Sequence, residues 1–291
     1  MTTVTISVVT YKRIWKWIKL MRNLKKVSEK CPGRIRLNFL FVEDSKSPRI
    51  TYLIKSTISK LVFGTMSAHV TGSDNLGESR DLAIDMCSSD WIGFIDDDDY
   101  YREDVLGVLE YPLTQKNSLS PSIINFGMSG NFYVKSPIYQ GYPEPKNRLR
   151  YWDDKNFMGC IPSMACFIRL SEWKSHNFKF GKNIPSEETS RLMVFTYIVP
   201  NVYHIGVNLM FRNRGRKSLV KDMSIYHRQV IIDNVNNHLD FIYKELNGSS
   251  HAGTIAGYFV YNYGSYLESH GIPDGKSIVQ TANYFIRHKY V

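Results

Sequence analysis

Four carboxylates in succession, Asp96-Asp97-Asp98-Asp99, follow directly on the apolar run Trp91 to Ile95. Carboxylates this close raise one another's pKa and are costly unless a cation neutralises them, so a hard divalent ion is the natural partner. Oxygen ligands from one short loop suit Mg2+ or Mn2+, which completes its octahedron with water and substrate phosphate. Standing alone, the run would equally be a solvated acidic turn. Two other apolar runs, however, also end in chemically distinctive residues, Thr10-Tyr11-Lys12-Arg13 and Glu43-Asp44-Ser45. In open α/β sheets ligands bind beyond the carboxyl ends of the strands, where these three ends would meet. A carboxylate at the second end can accept the imide N–H of a uracil or thymine base, an aromatic ring can stack on that base, and Arg80 can meet a phosphate or the base edge. Together these are the parts of a metal-dependent site for a nucleoside diphosphate.

The elements that must position these residues are visible in the apolar pattern. Val4 to Thr10 reads as the first strand. Ile14, Ile18, Met21, Leu24 and Val27 then recur every three or four residues and form a helix face. Lys16, Lys19, Arg22, Lys25 and Lys26 fall largely off that face and read as a solvated surface rather than a polyanion site. Leu37 to Val42 is a second, nearly continuous apolar strand, as expected where helices cover both faces of a sheet. A helix over about Ile50 to Leu61, a strand near Ala68 to Thr71, a turn at Gly72 to Gly77, a helix over about Glu78 to Cys87 and the strand Trp91 to Ile95 follow. This alternation marks βαβ units and a mostly parallel sheet. Between Tyr111 and Pro162, Pro, Gly, Asn and aromatic residues predict short strands and loops, where an acceptor pocket could lie. Ala165 to Ile168 and Val202 to Leu209 bracket a helical stretch around Glu187 to Tyr197. Beyond Ser224 the pattern is helical throughout: Val230 to Leu246, Ile255 to Leu267, and Ile278 to Ile286 with Asp274 as N-cap. The tyrosines of these helices, Tyr258, Tyr261, Tyr263 and Tyr266, are expected to pack against the main domain.

The chain of 291 residues is long enough for one large α/β domain with an appendage. Its 43% apolar and 22% charged residues exclude disordered, collagen-like and disulfide-scaffold classes. A net charge of +10 draws it to polyanions, anionic membrane surfaces or phosphate-bearing small molecules without choosing among them. Cys31, Cys87, Cys160 and Cys166 form no CxxC pair, which favours a reduced, cytoplasmic protein. The N-terminus lacks the pattern of a signal peptide, and no apolar run nears the ~20 residues that span a bilayer. Any membrane contact is therefore expected to be peripheral, at the inner face.

Four segments in order carry a family resemblance: Ser7-Val8-Val9-Thr10-Tyr11-Lys12-Arg13, Glu43-Asp44-Ser45, Asn75-Leu76-Gly77-Glu78-Ser79-Arg80-Asp81, and Trp91 through Tyr101. They resemble the successive nucleotide-binding segments of the family 2 glycosyltransferases with the GT-A fold, over roughly the first 110 residues. A lone DxD is common by chance; the ordered series is more specific. The resemblance implies that Asp96 and Asp98 are the two carboxylates of the DxD, Asp98 reaching the metal and Asp96 the ribose or the metal shell, with Asp97 counted in the donor-binding set. It places Thr10, Tyr11 and Arg13 on the loop that contacts base and diphosphate, Asp44 on the acid that pairs with the base, and Arg80 on the basic position of the helix after the glycine turn. Asp99 is expected to be the more exposed, structural carboxylate.

Sugar transfer passes through an oxocarbenium-like state, so the site must stabilise a leaving diphosphate and deprotonate an acceptor hydroxyl. Inverting members of the family carry an acidic pair at the start of a helix well after the DxD, and Pro185-Ser186-Glu187-Glu188-Thr189 is similar to it. By that resemblance Glu188 is the base and Glu187 its neighbour, with the choice between them open. On the residues alone, Ser186 capping a helix whose dipole two glutamates complement would explain the pair as well. Phe211 to Leu219 resembles the Tyr-x-x-Arg-x-x-Ser stretch of polysaccharide-building members, in which Arg212 would hold the diphosphate; a basic surface turn explains the stretch equally well. His204, a lone histidine on a strand, reads as structural before it reads as a metal ligand.

These readings predict a GT-A α/β protein with a mostly parallel Rossmann-like sheet flanked by helices and a helical C-terminal region. Residues 1–222 would be the transferase domain, with 1–110 binding the nucleotide and 111–222 the acceptor, and 223–291 a helical extension. The expected activity is metal-dependent, inverting transfer of a sugar from a nucleoside-diphosphate donor, UDP-sugar favoured, to a surface glycan such as lipopolysaccharide, capsule or teichoic acid. Mn2+ or Mg2+ would be the cofactor. Two rivals are a phage-type enzyme acting on hydroxymethylated DNA bases, whose binding would fall steeply with salt, and a non-catalytic module that binds nucleotide-sugar or glycan.

Overall fold

The structure, a computed structural model, describes residues 1–10, 14–44, 52, 56, 65–70, 75–116, 120–129, 165–181, 188–199, 201–211, 228–247, 249, 251–269 and 271–290. The chain divides into two compact units, Met1–Lys182 with Val199–Asn213, and Asn183–Ile198 with Arg214–Val291.

The first unit is built on an eight-stranded sheet in the order β3-β2-β1-β4-β7-β6-β8-β5. Strands β1 (Thr2–Thr10), β2 (Ile35–Glu43), β3 (Thr65–Val70) and β4 (Trp91–Asp96) run parallel, as the alternation of strands and helices in the sequence predicts. β7 (Cys166–Arg169), which runs into the short helix α5 (Leu170–Ser175), lies antiparallel to β4 and to β6 (Ile123–Ser129). β8 (Val202–Phe211) is parallel to β6, and the two-residue β5 (Tyr100–Tyr101) pairs antiparallel with the end of β8. The sheet as a whole is thus mixed. Apolar patterning identifies a strand but not its direction, which depends on how the connecting chain returns.

Helix α1 (Ile14–Glu29) shows why the three-to-four spacing predicts a helix here: Leu20, Met21, Leu24 and Val27 are all buried against the sheet. Its charged residues Arg22, Lys25 and Lys26 are exposed, as a solvated face requires. Lys26 and Lys30 both donate to Glu103, whose carboxyl these bonds hold down at about 2. β1 is buried from Val4 to Thr10 without alternation, the signature of a strand covered on both faces. Trp91 is fully buried and donates from Nε1 to the carbonyl of Leu113 at 3.0 Å, which ties β4 to the short helix α4 (Glu110–Thr114) that follows α3 (Val105–Val108). At Gly93, opposite Phe167, a Cβ would stand 2.4 Å from the Phe167 ring, so only glycine lets β7 approach β4 this closely. Of the helix expected over Ile50 to Leu61, Tyr52 and Ser56 are helical, and the rest lies outside the described residues, as does 130–164.

The second unit is helical. α6 (Glu188–Ile198), α7 (Arg228–Glu245), α8 (Ala252–Ser269) and α9 (Gly275–Arg287) agree with the sequence-predicted helices to within a few residues. Ile231, Val235, Leu239 and Ile242 of α7, Ile255, Phe259 and Leu267 of α8, and Ile278, Val279 and Ile286 of α9 are buried. Two glycines let α8 and α9 close on each other: a Cβ at Gly264 would meet the Lys276 Cα at 2.9 Å, and one at Gly275 the Leu267 Cβ at 2.6 Å. Asp274 stands at the N-cap of α9, yet its carboxylate pairs with Arg228 at 2.5 Å and caps no backbone N–H. Tyr263 is buried, stacked on Phe259 and accepting a hydrogen bond from Asn234, whereas Tyr261 is exposed.

Candidate active site

The carboxyl ends of β1, β2 and β4 lie side by side because their registers match: Thr10 faces Glu43, and Val9 faces Asp96. The pairing runs one residue past β2, where the Asp44 N–H donates to the Thr10 carbonyl at 2.9 Å and Asp44 is buried. Next to them β4 ends in a tight turn closed by the Asp99 N–H on the Asp96 carbonyl at 3.1 Å. Within this turn exposure alternates. Asp97 and Asp99 are each 3% exposed, whereas Asp96 and Asp98 are partly open. The Asp97 carboxylate accepts from the Thr10 hydroxyl at 3.0 Å, so Asp97 and Thr10 brace the first strand end against the acidic turn. Asp99, expected to be the more exposed carboxylate, is buried, because the turn directs every second side chain inward.

Arg80 comes to the turn from helix α2 (Leu76–Met86), which starts where Asn75 caps it, Oδ1 accepting from the Glu78 N–H at 3.1 Å. The Arg80 guanidinium is almost wholly buried and lies 3.3 Å from Asp96 Oδ1. A buried cation behind four carboxylates offsets part of their mutual repulsion and orients Asp96. Immediately after the turn, Asn23 of α1 holds both backbone groups of Tyr101, donating to its carbonyl at 2.8 Å and accepting from its N–H at 2.9 Å. The Tyr101 hydroxyl donates to the Phe94 carbonyl at 2.9 Å. Burial first, and the nearby carboxylates of Asp99 and Asp96, push the Tyr101 phenol well above its ordinary value, so it stays a neutral donor.

Asp81, beside Arg80, was not singled out by the sequence for any role of its own. Its carboxylate accepts from the N–H groups of Phe180, at 2.8 Å, and Gly181, at 3.0 Å, and burial raises its pKa. Gly181 has φ 81°, so the chain is held in a left-handed turn that suits glycine. Helix α2 therefore grips the acidic turn with one residue and the Phe180-Gly181 turn with the next. Asp81→Ala is expected to cost about 2 kcal/mol, since it strands two backbone donors; urea unfolding at neutral pH measures it.

In the second unit, Glu188 is the first residue of α6, and its backbone alone is described. The first turn of that helix is pinned by Ser190, whose hydroxyl lies 2.7 Å from His238 Nδ1 of α7 and accepts from Arg191 Nη1 at 2.9 Å. The Arg191 guanidinium stacks over the Phe241 ring at 4.4 Å. No sequence pattern marks Ser190 and His238 as partners, since they are 48 residues apart. Tyr11, Arg13, Glu187 and Arg212 lie outside the described residues, and His204 is described only as part of the β8 backbone. Among the described residues no group of three or more His, Cys, Asp and Glu gathers as a self-sufficient metal cage. Two open carboxylates on one turn fit instead a hard cation that takes the rest of its shell from water and phosphate.

A parallel β3-β2-β1-β4 half, an antiparallel β7 beside it and an acidic turn at the end of β4 define the class of a GT-A glycosyltransferase. Residues 5–174, more than half of the chain, match the model of Glycosyl transferase family 2, and the protein belongs to that family. No curated protein matches the sequence. Among solved structures, S. aureus TarS 1-349 in complex with UDP is similar with a TM-score of 0.64 at 11% identity, covering 100% of this chain and 91% of that one. The same TarS fragment in complex with UDP-GlcNAc gives 0.58 at 11% identity with the same coverage. The mannosyltransferase PcManGT from Pyrobaculum calidifontis, in complex with GDP-Man and Mn2+, gives 0.56 at 9% identity over 97% of this chain and 75% of that one.

Proposed function

We propose that this glycosyltransferase moves a sugar, with inversion, from a nucleoside-diphosphate donor to a hydroxyl of a surface glycan such as lipopolysaccharide, capsule or teichoic acid. The observation that carries the reading is the acidic turn at the meeting of β1, β2 and β4, with Asp96 and Asp98 partly open and Asp97 and Asp99 turned inward. The fold shared with TarS bound to UDP and UDP-GlcNAc supports a UDP-sugar as donor. In this reading Asp44 pairs with the base, Thr10, Tyr11 and Arg13 line the nucleotide, and Arg212 holds the diphosphate. Asp98 and Asp96 would hold Mn2+ or Mg2+, which supplies charge neutralisation for the leaving diphosphate. Arg80 keeps Asp96 oriented from behind. Glu188, with Glu187 beside it, takes the proton of the acceptor hydroxyl as it attacks the anomeric carbon. Calorimetric titration with UDP-, GDP-, CDP- and TDP-sugars, each with Mn2+ and with chelator, tests this. One donor should bind in a metal-linked way; no metal-linked binding of any nucleotide would leave the acidic run as a structural turn.

A further inference from the structure

The solvent face of α9 belongs to no part of the transfer chemistry. Ile278, Val279, Ala282 and Ile286 occupy its buried side, and the opposite side carries two adjacent aromatic residues, Tyr284 at 62% and Phe285 at 64% exposure. Tyr284 meets both Phe285 and His288 edge-on, with ring centroids 5.6 and 4.5 Å apart, so the rings form one cluster. Exposed Arg287, His288 and Lys289 border it. Neither Asp nor Glu occurs between Gly275 and Val291. Three carboxylates that flank the helix are already engaged: Glu268 by Lys276 at 2.8 Å, Asp274 by Arg228 at 2.5 Å, and Asp240 by the Tyr290 hydroxyl at 2.9 Å.

We propose that this face of α9 docks the protein on an anionic lipid surface. Two aromatic rings on a convex helix suit the headgroup level of a bilayer, where an amphipathic ring keeps one end wet, and a neighbouring basic cluster without acidic residues is complementary to anionic headgroups. A convex helix face offers no groove for a peptide, and the charge favours lipid over a neutral partner. Among the described residues no helix is long and apolar enough to cross a membrane. The inference stands independently of the donor and acceptor proposed above.

Co-sedimentation of the full chain with vesicles of phosphatidylglycerol and phosphatidylcholine, and with vesicles of phosphatidylcholine alone, tests it. Binding should appear only with the anionic vesicles and weaken with added salt. Arg287→Gln and Lys289→Gln should each lower the apparent affinity about fivefold, and Phe285→Ser should lower it at unchanged far-UV dichroism. Equal partitioning to both vesicle types, or equal binding by wild type and all three variants, overturns the proposal. So does a concentration-dependent dimer in analytical ultracentrifugation that Phe285→Ser abolishes without vesicle binding, since a second copy would then cover the face.

Discussion

Asp98→Ala is expected to remove metal-linked donor binding and to lower sugar transfer by about 10²–10³-fold, the scale on which a single preorganised electrostatic contact to developing charge is worth in enzymes. Asp98 is partly open, so its truncation leaves no sealed cavity, and the melting temperature should stay near that of wild type. Asp97 supplies the contrast: it is buried against the Thr10 hydroxyl at 3.0 Å, so its loss should register in stability. Calorimetric titration of the favoured nucleotide with Mn2+, read beside thermal melting, separates the two. Unchanged transfer in Asp98→Ala would remove the acidic turn from the proposed chemistry.

Glu188→Gln is the second large effect. A carboxylate that takes the acceptor proton contributes about 10²–10⁴-fold, and glutamine keeps the size of the side chain while losing the basicity. Turnover should fall by that factor with donor affinity unchanged, because the proton is taken on the acceptor side. If the two glutamates only complement the dipole of α6, the substitution should instead cost about 0.3–1 kcal/mol of stability and leave turnover intact. Glu187→Gln in parallel decides which carboxylate acts. Ser190 and His238 pin the first turn of α6, to which the Glu188 backbone belongs.

Much of the arrangement at the strand ends was legible because it is local. Apolar strands that end in Thr10, Glu43-Asp44 and the Asp96 run are continuous in the chain, and βαβ geometry brings their ends together once the strands are recognised. The partition within the acidic run was not legible. Which of four identical residues faces outward depends on the phase of the turn after β4, fixed by the Asp99 N–H bond to Asp96, and the buried position of Asp99 departs from the expectation for that reason. The sequence offers Arg80 as a partner for a phosphate or the base edge, and does not reveal that its guanidinium is buried behind Asp96.

By itself the sequence determined the succession of strands and helices, the ordered family motifs and the class of chemistry, because periodicity and motif spacing are written in near neighbours. Only the tertiary structure decided that the sheet is mixed, that Asp81 seizes Phe180 and Gly181, that Ser190 meets His238, and which side of α9 remains in solvent. Each of these joins residues far apart in the chain, and such pairings are selected by the burial and hydrogen bonding of the folded whole, to which no local pattern responds.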